Sequence, residues 1–318
     1  MSDKSLWQPS ATLENLKKRA KLQATLRAFF TERGYWEVET PALSQYGVTD
    51  VYLSNIQATF RGKSYCLQTS PEYHMKRLLA AGSGPIFQIA RVFRDDELGR
   101  WHNPEFTLLE WYQPGIDHHQ LMEEMDALLQ CVLQTPPLLK KTYQQAFMET
   151  CAIDPFSASL EALQGVLVRF ELDKVLTPNE QDRDQYLFLL MSHVVEPALG
   201  KAQAPVAVYN FPPSQASLAQ VNEGVAERFE VYYKGVELAN GFHELTEPLA
   251  QAARFEQDLA KRRSQGLPEP TLDPHLLNAL QHGLPNCSGV ALGIDRLLAL
   301  ALNQTAIAEV LAFDFARA

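Results

Sequence analysis

Residues 86–112 place an arginine, an aromatic ring and a carboxylate at spacings that suit a flat, charged ligand. Residues 86–94 and 106–112 are short runs rich in branched and aromatic side chains, and both read as strands. With a side-chain period of two, Phe106, Leu108, Glu110 and Tyr112 share one face of the second strand. Thr107, Leu109 and Trp111 take the other. Arg94 closes the first strand, and the connection 95–105 carries Asp95, Asp96, Glu97, Arg100, His102, Asn103 and Glu105. A hairpin loop needs only about two to five residues. So long and charged a loop either serves a ligand or is a solvated surface turn. For a ligand, an arginine at a strand end with an aromatic and a carboxylate on one face of its partner suits a charged, flat molecule, and a nucleotide fits.

Further along, Glu237 and Glu244 stand seven residues apart, on opposite faces of any regular strand. Both can meet one site only through a bend, and Gly241 is the residue that permits it. Asn240 shares a face with Glu244. The surrounding ELANGFHEL is apolar enough to be buried, where unpaired carboxylates are costly; a metal or an amine would satisfy them, exposure being the alternative. Arg296 lies in the apolar run CSGVALGIDRLLALAL, a setting in which arginine is paired or bound to an anion, with Asp295 as a neighbour.

The elements that must position these groups follow from periodicity and caps. Residues 13–33 form a helix capped by Thr12 or Ser10 and ended by Gly34; YWEVETPAL is a strand that stops at Pro41. Residues 51–60 and 64–68 form a hairpin turning at Arg61-Gly62-Lys63, and TSPEYHMKRLLAAG is a helix with Ser70 as its cap. Residues 117–134 make an amphipathic helix. The segment from 136 to about 204 reads as a helical insertion, with helices at 142–151, 159–170 and 182–195. Strands at 205–211, 226–233 and 236–245 precede a charged surface helix at 247–265. Strand 288–292 meets the final helix at Gly293.

Bulk properties narrow the function classes. The chain has 318 residues, 46% hydrophobic and 21% charged, so it can bury a large core in one domain spanning 1–318. Its four cysteines show no C-x-x-C pair, which points away from zinc and toward reduced thiols in the cytoplasm. The first ten residues lack a secretory pattern, and the apolar stretch 289–302 is interrupted by Asp295 and Arg296 and too short to span a bilayer. A net charge of −10 argues against a nucleic-acid partner such as tRNA. Neither a Walker loop nor a Rossmann glycine fingerprint is present.

FRDDE…RWHNPEFTLLEWY resembles motif 2 of the class II aminoacyl-tRNA synthetases in its lysyl-type form. Residues 13–41 resemble motif 1, and Gly293-Ile294-Asp295-Arg296 matches motif 3. The resemblance implies an α+β fold, an antiparallel sheet flanked by helices, acting as a homodimer with ATP and Mg²⁺. Carried over by position, Arg94 would hold the α-phosphate and the reacting carboxylate, Phe106 would stack on adenine, and Arg296 would cover the base and reach the γ-phosphate. His102 and Asn103 would contact ATP, joined by Asp95, Asp96, Leu238 and Gly293. Glu237, with Glu244, would hold magnesium. Ser70, Pro71, Glu72, Glu110, Tyr112, Asn240, Glu244 and Ala291 would surround a diamino acid.

Two departures direct the reading. The motif 1 helix begins near Leu13, which leaves no room for the anticodon-binding barrel of lysyl enzymes. Ala291 stands where those enzymes have glycine, and a methyl in a tight pocket shifts discrimination by about 1–3 kcal/mol, against an α-amine and toward a shifted one. Asp96 replaces glutamate and is one methylene shorter. The resemblance is therefore to the barrel-less lysyl paralogues that modify a protein. It implies activation of (R)-β-lysine by ATP and transfer to a lysine of elongation factor P, rather than to tRNA. A truncated lysine–tRNA ligase and a non-catalytic regulatory paralogue are the competing readings.

Overall fold

The opening helix, Leu13–Glu32, starts where Thr12 Oγ1 accepts from the backbone N–H of Asn15 at 3.1 Å. It ends before Gly34, whose φ of +82° leaves the helical path. The computed structural model describes residues 6–95, 98–177 and 179–318. It divides into two compact units, Met1–Asp117 with Glu244–Ala318, and His118–His243.

In the first unit, Trp36–Glu37 runs parallel to Ile86–Phe93, which pairs antiparallel with Glu105–Pro114, which pairs antiparallel with Cys287–Gly293. Phe30 from the opening helix packs on Phe87 and Trp111, each at a ring separation of 5.0 Å, and all three are wholly buried. Trp111 and Leu109 thus face the core. By the period of two, Phe106, Leu108, Glu110 and Tyr112 turn to the other side of the sheet, as expected. Rings of this size drive such packing through the apolar area they remove from water.

Several expectations change. The hairpin strands are Gln57–Phe60 and Lys63–Leu67, so 51–56 lie outside them. Arg61 and Gly62 carry φ of +50° and +76°, the pair of left-handed residues a two-residue hairpin turn requires. YWEVETPAL contributes only Trp36–Glu37 to the main sheet, while Leu43–Ser44 joins the hairpin. The charged helix is Pro248–Ser264, and it is not simply a surface element. Arg262 is buried and donates to the carbonyls of Thr49 (2.9 Å), Asp50 (2.6 Å), Pro268 (3.0 Å) and Leu53. Irregular backbone leaves carbonyls that need donors, and one guanidinium supplies several. A further helix, Pro274–Gly283, capped by Asp273, was not foreseen.

In the second unit, Leu139–Thr142 runs parallel to Val206–Phe211, followed by antiparallel Val225–Tyr233 and Val236–His243. Helix His118–Leu133 precedes them. The helices expected within 136–204 form at Tyr143–Cys151, Leu160–Arg169 and Arg183–Leu190, the last widening into a π-turn at Met191–Val195. They enclose a core of Tyr143, Phe147, Leu163, Leu187 and Leu190, all wholly buried. Strand Leu139–Thr142 has too little alternation to be read from sequence.

Candidate active site

Strand Glu105–Pro114 carries the site in the first unit. Its partner strand faces it with small residues: Gly289 opposite Tyr112, Ala291 opposite Glu110 and Gly293 opposite Leu108. Cross-strand partners share a face, so the floor beside Tyr112, Glu110 and Leu108 is bare. At Gly289 the bareness is obligatory: a Cβ there would lie 2.1 Å from Tyr112 Cε1 and 2.8 Å from Glu244 Oε1.

One end of this strand is a buried acidic cluster. Helix Glu72–Ala80 has Pro71 at its cap position, with Ser70 one residue earlier than the sequence suggests. Ser70 Oγ accepts from the Glu72 N–H at 3.0 Å and donates to Glu110 Oε1 at 2.7 Å. Tyr112 donates to Glu110 Oε2 at 3.3 Å. One helical turn beyond Glu72, Lys76 Nζ lies 2.7 Å from Glu72 Oε1 and 2.6 Å from Glu244 Oε2, with 2% of its side chain exposed. The expected metal or amine beside Glu244 is thus met by the protein's own amine.

The charges in this cluster do not balance. Burial, reinforced by Glu72, pushes Glu110 up to about 8, against the opposing pull of Ser70, Arg94 and Tyr112. Burial likewise pushes Glu244 up to about 8; Lys76 opposes the rise, while Glu72 and Glu110 add to it. Burial would lower Lys76, but Glu244 and Glu72 hold its ammonium well above the ordinary lysine range. Burial and the same acids raise Tyr112 and Cys287, so both stay protonated. Three carboxyl groups share one ammonium, and a further cation among them would favour their charged forms.

The other end carries guanidiniums. Arg94 Nε donates to the Thr69 carbonyl at 3.5 Å, and its Cζ lies 5.0 Å from the Phe106 ring centre. Phe106 and Ala291 both pack against the cluster of Ala90, Val92 and Leu108. The backbone N–H of Asp95 bonds the Ser54 carbonyl at 2.9 Å. Arg296 Nε donates to the Trp101 carbonyl at 3.2 Å, and its Nη2 lies 2.8 Å from His102 Nε2. Asp295, expected beside Arg296, turns instead into the core. It accepts from Arg19 Nη1 at 2.5 Å and from the Thr107 N–H at 2.8 Å. Successive helical residues point about 100° apart, so the aspartate anchors helix Ile294–Ala301 while Arg296 stays half-exposed. Asn103 donates to the Glu105 carbonyl at 2.6 Å and accepts from the Phe315 N–H at 3.0 Å, which ties the loop to the terminal segment. Asp96 lies outside the described residues.

Residues 6–317 match the family of class II tRNA synthetases of the D, K and N type. The chain belongs to that family. It is 54% identical over 327 aligned residues to "Elongation factor P--(R)-beta-lysine ligase" of Edwardsiella ictaluri (strain 93-146), with all of both chains covered.

Of the expected site residues, Glu237, Leu238 and Asn240 belong to the second unit. Tyr232 pairs with Glu237 and Val231 with Ala239, so Leu238 is the extra residue of a bulge. The irregularity anticipated at Gly241 falls here instead; Gly241 pairs regularly with Phe229. The bulge puts Glu237 and Asn240, three apart in sequence, on the face shared by Arg228, Glu230 and Tyr232. Arg228 donates to Asn240 Oδ1 at 3.3 Å and pairs with Glu230, which also accepts from Tyr232. Burial, partly offset by Arg228 and increased by Glu237, raises Glu230. His118, Glu227 and His243 also place ligand atoms within 4.8 Å of one another. His243 bonds Glu227 there, and His118 Nε2 lies 3.1 Å from Asn210 Oδ1.

Sequence reasoning missed Lys76, Arg19 and Gly289. Lys76 left one signal, an i,i+4 acid–base pair with Glu72 on a helix that buries Met75 and Leu79. Arg19 left none, because Asp295 is 276 residues away.

Proposed function

We propose that the chain is a ligase that activates (R)-β-lysine with ATP as its adenylate and passes the acyl group to the ε-amine of a lysine on elongation factor P. One observation carries this reading: a single sheet face holds an ammonium-seeking cluster at Glu110 and Tyr112 and an arginine–aromatic pair at Arg94 and Phe106. About 13 Å of strand separates Phe106 from Glu110. A diaminocarboxylate laid along it has its amines in the acids and its carboxylate toward the phosphate end. The name of the full-length relative is consistent with this substrate and acceptor.

The substrate carboxylate is already an anion, so no general base is needed for the first step. Its oxygen bonds the α-phosphorus as the bond to pyrophosphate breaks, and Arg94 neutralises the charge that gathers there. In the second step the acceptor amine attacks the acyl carbon and AMP departs. Arg296, tied to Trp101 and His102, would take the base and outer phosphate, with Asp95, Asn103 and Gly293 shaping that end. The oxygen donor of Glu237 suits magnesium, and its charge already opposes ionisation of Glu230, an excess a divalent cation relieves. Bound there, magnesium would neutralise phosphate charge. Ser70, Pro71, Glu72, Glu110, Tyr112 and Glu244 form the diamine end, and Ala291, opposite Glu110, sets which amine position is accepted.

We assign the chain to the cytoplasm as a homodimer; no described helix is long and apolar enough to cross a membrane. Pyrophosphate exchange with (R)-β-lysine against L-lysine tests the first step, and labelling of elongation factor P against tRNA tests the second. Exchange with no lysine isomer refutes the proposal; loading of tRNA alone refutes the acceptor.

A further inference from the structure

Lys76 is a buried cation in a pocket that is meant to receive a cation, and its place there needs a reason. Its Nζ touches Glu72 at 2.7 Å and Glu244 at 2.6 Å, and Glu244 is wholly buried. Burying an ammonium and two carboxylates is expensive, and an apolar residue of similar volume serves stability as well or better. The element itself is secure without the pair, since Met75 and Leu79 already fix the helix in the core. What an apolar residue cannot do is bridge two carboxyl groups and fix where their oxygens lie.

We propose that Lys76 is a positioning residue that sets amine specificity: by bridging Glu72 and Glu244 it fixes where their oxygens lie, so that the substrate's ammonium meets a preformed set of acceptors. The inference rests on the diamino-acid reading above. Glu244 is faced by Lys76 and Glu72 from one helix, by Glu110 and Tyr112 from the central strand, and by Cys287 from its neighbour. Arg94 acts on Glu110 from the far side. Take Lys76 away and three acids remain without an internal cation. The Glu72 and Glu244 oxygens then lose the shared donor that sets their spacing, and the substrate amine meets acceptors that are no longer fixed.

The experiment is pyrophosphate exchange by the full chain carrying Lys76→Met. Its KM for (R)-β-lysine should rise about 10- to 100-fold, as for loss of a charged hydrogen bond, while KM for ATP stays put. Lys76→Ala supplies the second arm: propylammonium should recover its activity and 1-propanol, the neutral mimic, should not. Rescue by the cation alone supports positioning by charge even if the methionine variant folds poorly. Parallel loss of both KM values and kcat overturns the proposal, as does equal rescue by 1-propanol. Tighter (R)-β-lysine binding in Lys76→Met also overturns it, since Lys76 would then be a competitor for the acids. Inactivity of the unaltered chain with every lysine isomer overturns this inference and the function together. Normal activity with an unchanged variant overturns this inference alone.

Discussion

The two ends of strand Glu105–Pro114 solve opposite problems. At Glu110 and Tyr112 the side chains are almost wholly buried, and each has a protein partner. At Arg94 and Arg296 the side chains are half-exposed and steadied by backbone carbonyls and rings. The difference matches the ligand each end would take. A choice among lysine isomers turns on a carbon or two, and only dry, fixed, charged partners discriminate so finely. Triphosphate is large and multiply charged, and delocalised guanidiniums near solvent suffice to hold it. Selectivity is built from burial, and charge neutralisation from reach.

Asp295→Ala breaks the frame that the two ends share. It strands Arg19 against Thr107 and should cost about 3–5 kcal/mol of stability, read by denaturant unfolding. Arg94→Ala tests the open end directly. Pyrophosphate exchange should fall about 10²- to 10³-fold in kcat, with the melting temperature little changed. Glu110→Gln tests the closed end. KM for (R)-β-lysine should rise by a factor equivalent to about 1.5–3 kcal/mol, while KM for ATP holds; a rise in both would erase the contrast. Gly289→Ala probes the bare floor, where the new Cβ meets the Tyr112 ring. The cost should be about 1–3 kcal/mol in thermal or denaturant melts, with weakened amino-acid binding.

The smallest effect is a pH dependence confined to the closed end. Glu110 and Glu244 titrate near 8 in the folded chain, against 4.5 ordinarily. A raised carboxylate binds its proton more tightly when folded, so its stabilisation is full below about 4.5 and is lost as pH rises through about 8. The melting temperature of the ligand-free protein should therefore decline across that window. Saturating (R)-β-lysine should flatten the decline, because an ammonium between the acids stabilises their charged forms. An equal slope with and without the diamino acid would place its amines elsewhere.

The sequence alone fixed much of this, for physical reasons that are local. Alternation along 106–112 put Phe106, Glu110 and Tyr112 on one face, because a strand's period of two is a property of its backbone. The length and charge of 95–105, and the glycine before Asp295 and Arg296, marked the loop and the helix start. Other features depended on partners far away in the chain. Asp295 chose Arg19 over Arg296, Lys76 became the counter-ion of Glu244, and the bulge moved to Leu238 to bring Glu237 beside Asn240. Arg262 left the surface for the carbonyls of Thr49 and Asp50. Each is a long-range choice of charge or register, made when packing decides which groups lose their water, and no short stretch of residues contains that information.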